Sequence, residues 1–518
     1  MIQNAKLHNQ LCEKLFRLLI CAHALIWIGV PTFVRYALPH DTIELAVWGR
    51  HLQWGYDKNP YLNGWLGWLA SLFGTSGIGF YLLAQVFVVM AFWSIWRLGK
   101  EIFNPVYALI AVMMMEGCIY FTLDPSRFND NCMELGLWAV MMVSFYFACK
   151  HQRWGAWILT GLFAGLGMMA KYYTALPLFC MFVYTLIDPQ ARQAYRKLPV
   201  YIGAIVAVLV IAPHVAWLMH HQWLTVRYMF IRTHSQNTWV DHVHYPFQFA
   251  SAQCFNFILP ILLLLLAISR NRQHPAMAER DITVSSADRC FLWVVGFGPF
   301  VITILLSVIL GWRLKNEWGT PTLTLWSLLL LSYWRPRVSL QSLTRFLIGA
   351  IIVMVAWPLG DAVGVMTVSA GRGSDNFPAQ AIASRVTNLW HQTYGTRLRY
   401  VVGSRYTAGY VAFYSPDKPS VLMDYQPRLS PWINMNNLHH YGAAFVQYGY
   451  FGTSFSGKRP KGYYSATHFP KSVMKQYPDL KILPLQNIPW ARHKKGEPPV
   501  RLLIGFLPPE QTQQGHTQ

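Results

Sequence analysis

Residues 161–184 read GLFAGLGMMAKYYTALPLFCMFVY, two apolar runs that meet at one lysine and two tyrosines. With its flanking residues, each run approaches the roughly 20 mostly apolar residues that cross a bilayer. A lysine in such a stretch either snorkels to the membrane surface, beside an aromatic belt of the kind Tyr172 and Tyr173 would form, or faces a polar cavity. In both cases Lys171 marks a turn between two spans. The chain reads as a polytopic α-helical membrane protein.

Outward from this pair, comparable runs fall near 15–35, 79–97, 105–122, 133–149, 155–170, 173–187, 199–219, 251–269, 290–310, 319–333 and 344–366, about 11 transmembrane helices. Composition agrees, with 54% hydrophobic and only 13% charged residues in 518, roughly half the charged fraction of a soluble domain. Basic residues cluster at alternate ends of these spans: Lys6, Lys14 and Arg17; Arg97 and Lys100; Lys150 and Arg153; Arg192, Arg196 and Lys197; Arg270, Arg272, Arg280 and Arg289; Arg335, Arg337 and Arg345. The positive-inside rule makes that side cytoplasmic. The net charge of +21 therefore points to membrane lipid and phosphate as partners, and not to nucleic acid. The cysteines lie in or beside apolar runs without metal-type spacing and read as core residues. The opening MIQNAKLHNQLCEKLFR is basic, and no small-residue cleavage site follows the first apolar run, so that run reads as an uncleaved span.

Residues 1–366 form the expected transmembrane domain, with extracytoplasmic loops at 36–78 and 220–250. Residues 367–518 form an expected soluble α/β or α+β domain on the same side. Its alternating stretches RYVVGSRYTAGYVAFYS (399–415) and VRLLIGFLP (500–508) predict strands, and 377–394 a helix packed on them.

The unusual polar residues concentrate on the extracytoplasmic face. Asp41 and Glu44, in PHDTIELAVWGRHLQWGYDKNPYLNGW (39–65), are spaced i, i+3 and share a helix face. Such a pair can take a proton, orient a hydroxyl or hold a divalent cation; equally, Asp41 can cap an interfacial helix, with Glu44 completing a capping box. Asp124, in TLDPSRFNDN (122–131), is either a carboxylate lining a wet cavity or a solvated turn residue before Pro125. Arg227, Arg232, Arg313 and Lys315 stand on the side that the positive-inside trend leaves poor in cations. Guanidinium and ammonium groups there suit phosphate oxygens. Carboxylates for an acceptor beside cations for a phosphate leaving group describe sugar transfer from a lipid-phosphate donor.

These residues resemble the motifs of the GT-C glycosyltransferases of the protein mannosyltransferase and aminoarabinose transferase superfamily (glycosyltransferase family 39-like). Asp41 and Glu44 match its acidic first-loop motif. Lys58 and Pro60, in HLQWGYDKNPYLNGWLGWL (51–69), match the basic and proline segment, although Asn59 and Tyr61 flank Pro60 where many members have a double proline. Asp124 matches the second-loop aspartate, and Lys171 with Tyr172 the Lys-Tyr pair. APHVAWLMHHQWLTVRYMF (212–230) and RLKNEWGTP (313–321), which ends the series with Trp318, match later segments.

The resemblance implies catalytic roles for Asp41, Glu44 and Asp124. It implies phosphate binding by Lys58, Lys171, Arg232, Arg313 and Lys315, with Tyr172 and Trp318 lining the substrate. It also implies a polyprenyl-phosphate-linked sugar donor, a glycolipid (lipid A or lipopolysaccharide core) or protein acceptor, and a site on the periplasmic face of a bacterial inner membrane. No His or Cys spacing demands a cofactor, and a divalent cation at Asp41 and Glu44 stays open. The basic tail, with Lys458, Arg459, Lys461, Lys471, Lys475, Lys494 and Lys495, suits a polyanionic surface or simply keeps the domain soluble. The rival readings are a flippase for a lipid-linked saccharide, which predicts charges within the spans and two pseudo-symmetric halves, a protein O-mannosyltransferase, and a sensor, which predicts a cytoplasmic output module.

Overall fold

The computed structural model describes residues 2–234, 238–269, 276–278, 283–371, 373–449 and 468–510. Arg270, Arg272, Arg280, Lys458, Arg459 and Lys461 lie outside the described residues. The chain divides into two compact units. One comprises Met1–Val30, Lys58–Asn63 and Tyr81–Gly360, the other Pro31–Asp57, Gly64–Phe80 and Asp361–Gln518.

The first unit is helical. Among the described residues, seven helices are long and apolar enough to cross a membrane: Leu7–Val34, Ile78–Ile102, Asp130–His151, Leu198–His220, Asp241–Leu266, Ser286–Leu310 and Leu340–Val368. Shorter apolar helices at Pro105–Gly117, Trp154–Ala170 and Tyr172–Ile187, and one at Trp326–Tyr333, coincide with the remaining expected spans. Two of these are truncated relative to the sequence reading. The span at 105–122 ends in a 3₁₀ turn at Gly117, and the helix within 319–333 starts only at Trp326.

Asp130–His151 runs through the centre of this unit, with Met133, Leu135, Trp138, Met141 and Met142 fully buried. Its start is fixed by Asn129, whose Oδ1 accepts from the amides of Asn131 at 3.0 Å and Cys132 at 3.2 Å, satisfying donors that a helix N-terminus leaves open. Trp154–Ala170 packs on Leu198–His220 backbone to backbone, since a Cβ at Gly161 would overlap the Gly203 carbonyl. Small residues permit such close approach between membrane helices. Inside the apolar packing lies one ionisable pair that the sequence reading did not flag: His23 Nδ1 is 3.0 Å from Glu116 Oε2, with both side chains buried.

The second unit joins the first loop to the end of the chain. The sequence reading placed 36–78 with the first 366 residues; in the structure 31–57 and 64–80 share their unit with 361–518. Among the described residues its sheet has six strands, in the order Ser420–Met423, Tyr400–Gly403, Ala443–Gly449, Val500–Leu507 and Lys481–Ile482, with Gln486–Ile488 also on Val500–Leu507. The first two pairings are parallel and those to Val500–Leu507 antiparallel. Val402, Leu422, Leu438, Phe445 and Leu503 fill its core.

The expected helix at 377–394 is Ala379–Tyr394. The expected strand over 399–415 is corrected: only Tyr400–Gly403 is extended, and Arg405–Tyr414 is a helix whose N-cap Ser404 accepts from Thr407 N at 3.2 Å. Tyr406, Tyr410 and Tyr414 recur every four residues, a helical spacing that outweighs the local alternation.

Candidate active site

The sequence-predicted residues fall in both units. Asp41 and Glu44 belong to the sheet-bearing unit. Lys58, Asp124, Lys171, Tyr172, Arg232, Arg313, Lys315 and Trp318 belong to the helical one.

In the sheet-bearing unit, Asp41 and Glu44 lie on the helix His40–Gly49. The N-cap position falls to Pro39, without a side-chain bond, so Asp41 does not cap. It sits exposed in the first turn, where the helix dipole favours a carboxylate. Glu44 is buried and paired with Arg405 Nη1. The same Nη1 donates to Asp57 Oδ2 at 3.0 Å, and Nη2 lies 2.7 Å from Asp424 Oδ2. Burial works against the Arg405 charge, yet Asp57, Glu44 and Asp424 outweigh it and raise its pKa.

The helix Arg405–Tyr414 grips the acidic helix along its length. His40 stacks on Tyr406 with centroids 4.3 Å apart, Tyr410 donates to Leu38 O at 2.8 Å, and Leu38 N donates to Tyr414 Oη at 3.1 Å. Arg405, Asp57 and Asp424 were missed in the sequence because they stand far from Glu44 along the chain. The available signal was an arginine just after a capping serine, in a segment whose tyrosines repeat at helical spacing.

In the helical unit, Lys171 leaves the end of Trp154–Ala170 and enters a ring of acceptors. Its Nζ is 2.6 Å from Asn131 Oδ1, 3.2 Å from Asp130 Oδ2 and 4.0 Å from Glu134 Oε2, and it lies 5.5 Å from the Trp318 ring centroid. Burial opposes its charge, but Asp130 and Glu134 overcome that and raise its pKa. Asn63 donates to Ala170 O at 2.7 Å, which pins the segment 58–63 beside Lys171. Lys58 in that segment sits 5.8 Å from the Tyr228 ring centroid. Tyr172 meets the buried His214 at 2.5 Å from Oη to Nε2.

The stretch 313–318 is tied down twice. Arg313 N donates to Thr233 O at 3.2 Å, bringing Arg313 next to Arg232, and Tyr120 donates to Asn316 O at 2.7 Å. Arg232, Arg313 and Lys315 are exposed. Asp124 opens the 3₁₀ turn Asp124–Arg127. Half-buried, its carboxyl is pushed up to about 6 by burial, with Arg127 opposing the rise and Glu317 adding to it. A carboxylate at that value can exchange a proton near neutral pH. Among the described residues, no group of three or more His, Cys, Asp or Glu side chains is arranged to hold a metal ion. Glu44, half of the pair read as able to hold a divalent cation, is paired with Arg405.

Residues 58–217 match the family model described as dolichyl-phosphate-mannose-protein mannosyltransferase. The lipopolysaccharide core galacturonosyltransferase RgtB of Rhizobium johnstonii is 21% identical over 317 residues, 59% of this chain and 62% of that relative's length. The crystal structure of ArnT from Cupriavidus metallidurans bound to undecaprenyl phosphate is similar with a TM-score of 0.62 at 12% identity, over 94% of this chain and 97% of that one. ArnT in the apo state gives a TM-score of 0.49 at the same identity. The chain is thus a multi-pass membrane protein with the GT-C fold. The family model covers the stretch that holds Lys58, Asp124, Lys171 and Tyr172, four of the residues by which the chain resembles the protein mannosyltransferase and aminoarabinose transferase superfamily.

Proposed function

We propose that this protein is a membrane glycosyltransferase that moves a sugar from a polyprenyl-phosphate donor to lipid A or the lipopolysaccharide core, at the periplasmic face of a bacterial inner membrane. The observation that carries the reading is the bond from Arg313 N to Thr233 O, which brings the backbone of Arg313 next to that of Arg232 in the helical unit, where both side chains are exposed. Guanidinium groups suit the oxygens of a phosphate.

In this reading the acceptor oxygen attacks the anomeric carbon, the bond from that carbon to the phosphate oxygen breaks, and the polyprenyl phosphate leaves. Arg232, Arg313, Lys315 and Lys58 stabilise the charge that develops on it. Lys171 belongs to the same unit and is partly neutralised by Asp130 and Glu134, so it orders the site as well as contributing charge. Tyr172 and Trp318 line the substrate. Within the helical unit the acceptor proton passes to the Asp124 carboxylate; in the sheet-bearing unit Asp41 is the other candidate base, on a helix that Glu44 and Arg405 hold in place. No step is routed through a metal.

The test is sugar transfer in proteoliposomes supplied with a panel of labelled polyprenyl-phosphate sugars and either lipopolysaccharide or an acceptor protein. Covalent labelling of lipopolysaccharide that is lost in Asp41→Ala and in Arg313→Ala, with folding retained, supports the reading. Labelling of protein instead moves the acceptor class to that of the protein mannosyltransferases. Donor crossing the bilayer without any covalent product sinks the enzyme and favours a flippase.

A further inference from the structure

The turn 415–420 of the sheet-bearing unit gathers cations from three segments. Lys418 sits on it in the left-handed region, at φ 50°, with Nζ turned back to Phe413 O and donors to spare. Arg397 reaches the turn through Nε and Nη2, at 3.2 Å and 2.8 Å from Asp417 O. His51 Nε2 lies 3.1 Å from Ser420 Oγ and its ring stacks on Trp432 at 5.4 Å, which holds the backbone of the adjacent Arg50 near the turn. Arg50 and Arg397 are exposed and Lys418 is half-buried.

The carboxylate on this turn is Asp417, and its Oδ2 is already engaged by Leu398 N and His391 Nε2, each at 2.7 Å. Arg397 and Lys418 thus meet on this turn, with Arg50 carried beside it by His51, and Asp417 is held by Leu398 and His391. Burial and the charge of Arg397 lower the pKa of Arg50, and burial and the charge of Arg50 lower that of Lys418. Three like charges outnumber the one carboxylate here, an excess that a bound anion relieves, and two guanidinium forks with one ammonium match a tetrahedral oxyanion.

We propose that Arg50, Arg397 and Lys418 form a binding site for a lipid-borne phosphate group, carried by an anionic glycolipid or by a phospholipid headgroup. Neither a donor nor sugar transfer is needed for this binding, so it can stand or fall separately from the proposed function.

The full-length protein in phosphatidylcholine nanodiscs is titrated with three probes: lipopolysaccharide, the same lipopolysaccharide after enzymatic dephosphorylation, and short-chain phosphatidylglycerol. The variant Arg50→Gln/Arg397→Gln/Lys418→Gln is expected to bind phosphorylated lipopolysaccharide about tenfold or more weakly and to be indistinguishable from wild type towards the dephosphorylated sample. A loss confined to phosphatidylglycerol keeps the phosphate site and assigns it to the bilayer headgroup. Equal binding of both phosphate-bearing lipids by wild type and variant overturns the proposal. Should the triple variant fail to fold, Arg50→Gln, at an exposed position, is read with the same probes against the same two outcomes.

Discussion

Arg405 donates to Asp57 at 3.0 Å across 348 residues of chain, and the same guanidinium holds Glu44 of the acidic helix. The C-terminal segment is therefore part of whatever Asp41 and Glu44 do. Arg405→Ala leaves two buried carboxylates around an empty place. Removing one partner of a buried ion pair costs about 3–5 kcal/mol, so a marked fall in the thermal midpoint of the purified protein is expected, together with loss of transfer. Arg405→Lys, which keeps the charge but not the fork, should recover part of the midpoint and less of the activity. Unchanged stability in Arg405→Ala would mean that the cluster is not an anchor.

Lys171 and Asp130 should behave as a unit. Each side chain is largely buried, and residues within one ion-pair network show coupling of about 0.5–3 kcal/mol. In a double-mutant cycle of Lys171→Met and Asp130→Asn, followed by denaturant unfolding in detergent, the double variant should be destabilised by less than the two single losses added together. Simple additivity would show that the 3.2 Å contact contributes nothing to folding.

Asp124 makes the pH dependence specific. Its folded-state pKa, near 6, lies above the ordinary carboxylate value, so the fold holds its proton more tightly than the unfolded chain between about pH 4 and pH 6. Stability therefore falls as pH rises through that window. After discounting for its half-exposed position, Asp124→Asn should stabilise the protein by about 1 kcal/mol at pH 7 and hardly at all at pH 4. If Asp124 accepts the acceptor's proton, wild-type transfer also rises through about pH 6, and the Asn variant lacks that limb.

Gly67 sets how closely residues 64–71 approach the acidic helix. A Cβ there would overlap Leu45 O, and one at Gly49 would overlap the Trp68 amide. Both clashes are with backbone, which cannot swing aside. Gly67→Ala should lower stability by about 1–3 kcal/mol, the usual range for overpacking, and reduce transfer by moving Asp41. Gly74→Ser, at a position open to added atoms but at φ 85°, should cost less and leave transfer intact. The two variants together separate a packing effect from a general intolerance of substitution.

The transmembrane body was legible because apolar run length reports directly on helices, and each of the expected spans meets one. What the runs could not convey was length lost to turns, as at Gly117 and before Trp326, or a buried pair such as His23 with Glu116, which needs two spans side by side to be recognised. The candidate site was legible as residue types. Lys171 stood out as a lone cation between apolar runs, and Asp124 as a carboxylate at a span end. Their partners Asp130 and Glu134 did not stand out, because a carboxylate near a helix start reads as an ordinary first-turn acid. Arg405 was missed through a choice of period: RYVVGSRYTAGYVAFYS alternates well enough to pass for a strand, and only the tyrosine spacing after Ser404 discloses the helix.

The order in which the two halves of the Arg405 cluster are made has a consequence for biosynthesis. Glu44 and Asp57 leave the ribosome early, and the guanidinium that neutralises them follows 348 residues after Asp57. At typical elongation rates of about 5–20 residues per second, that is roughly 20 seconds to a minute. Throughout that interval the first loop carries acidic side chains without their arginine, and its helix lacks the surface on which it finally rests. The acidic loop thus gains its arginine partner only once the sheet-bearing segment has been delivered, so a nascent or truncated chain holds these carboxylates in an unassembled arrangement.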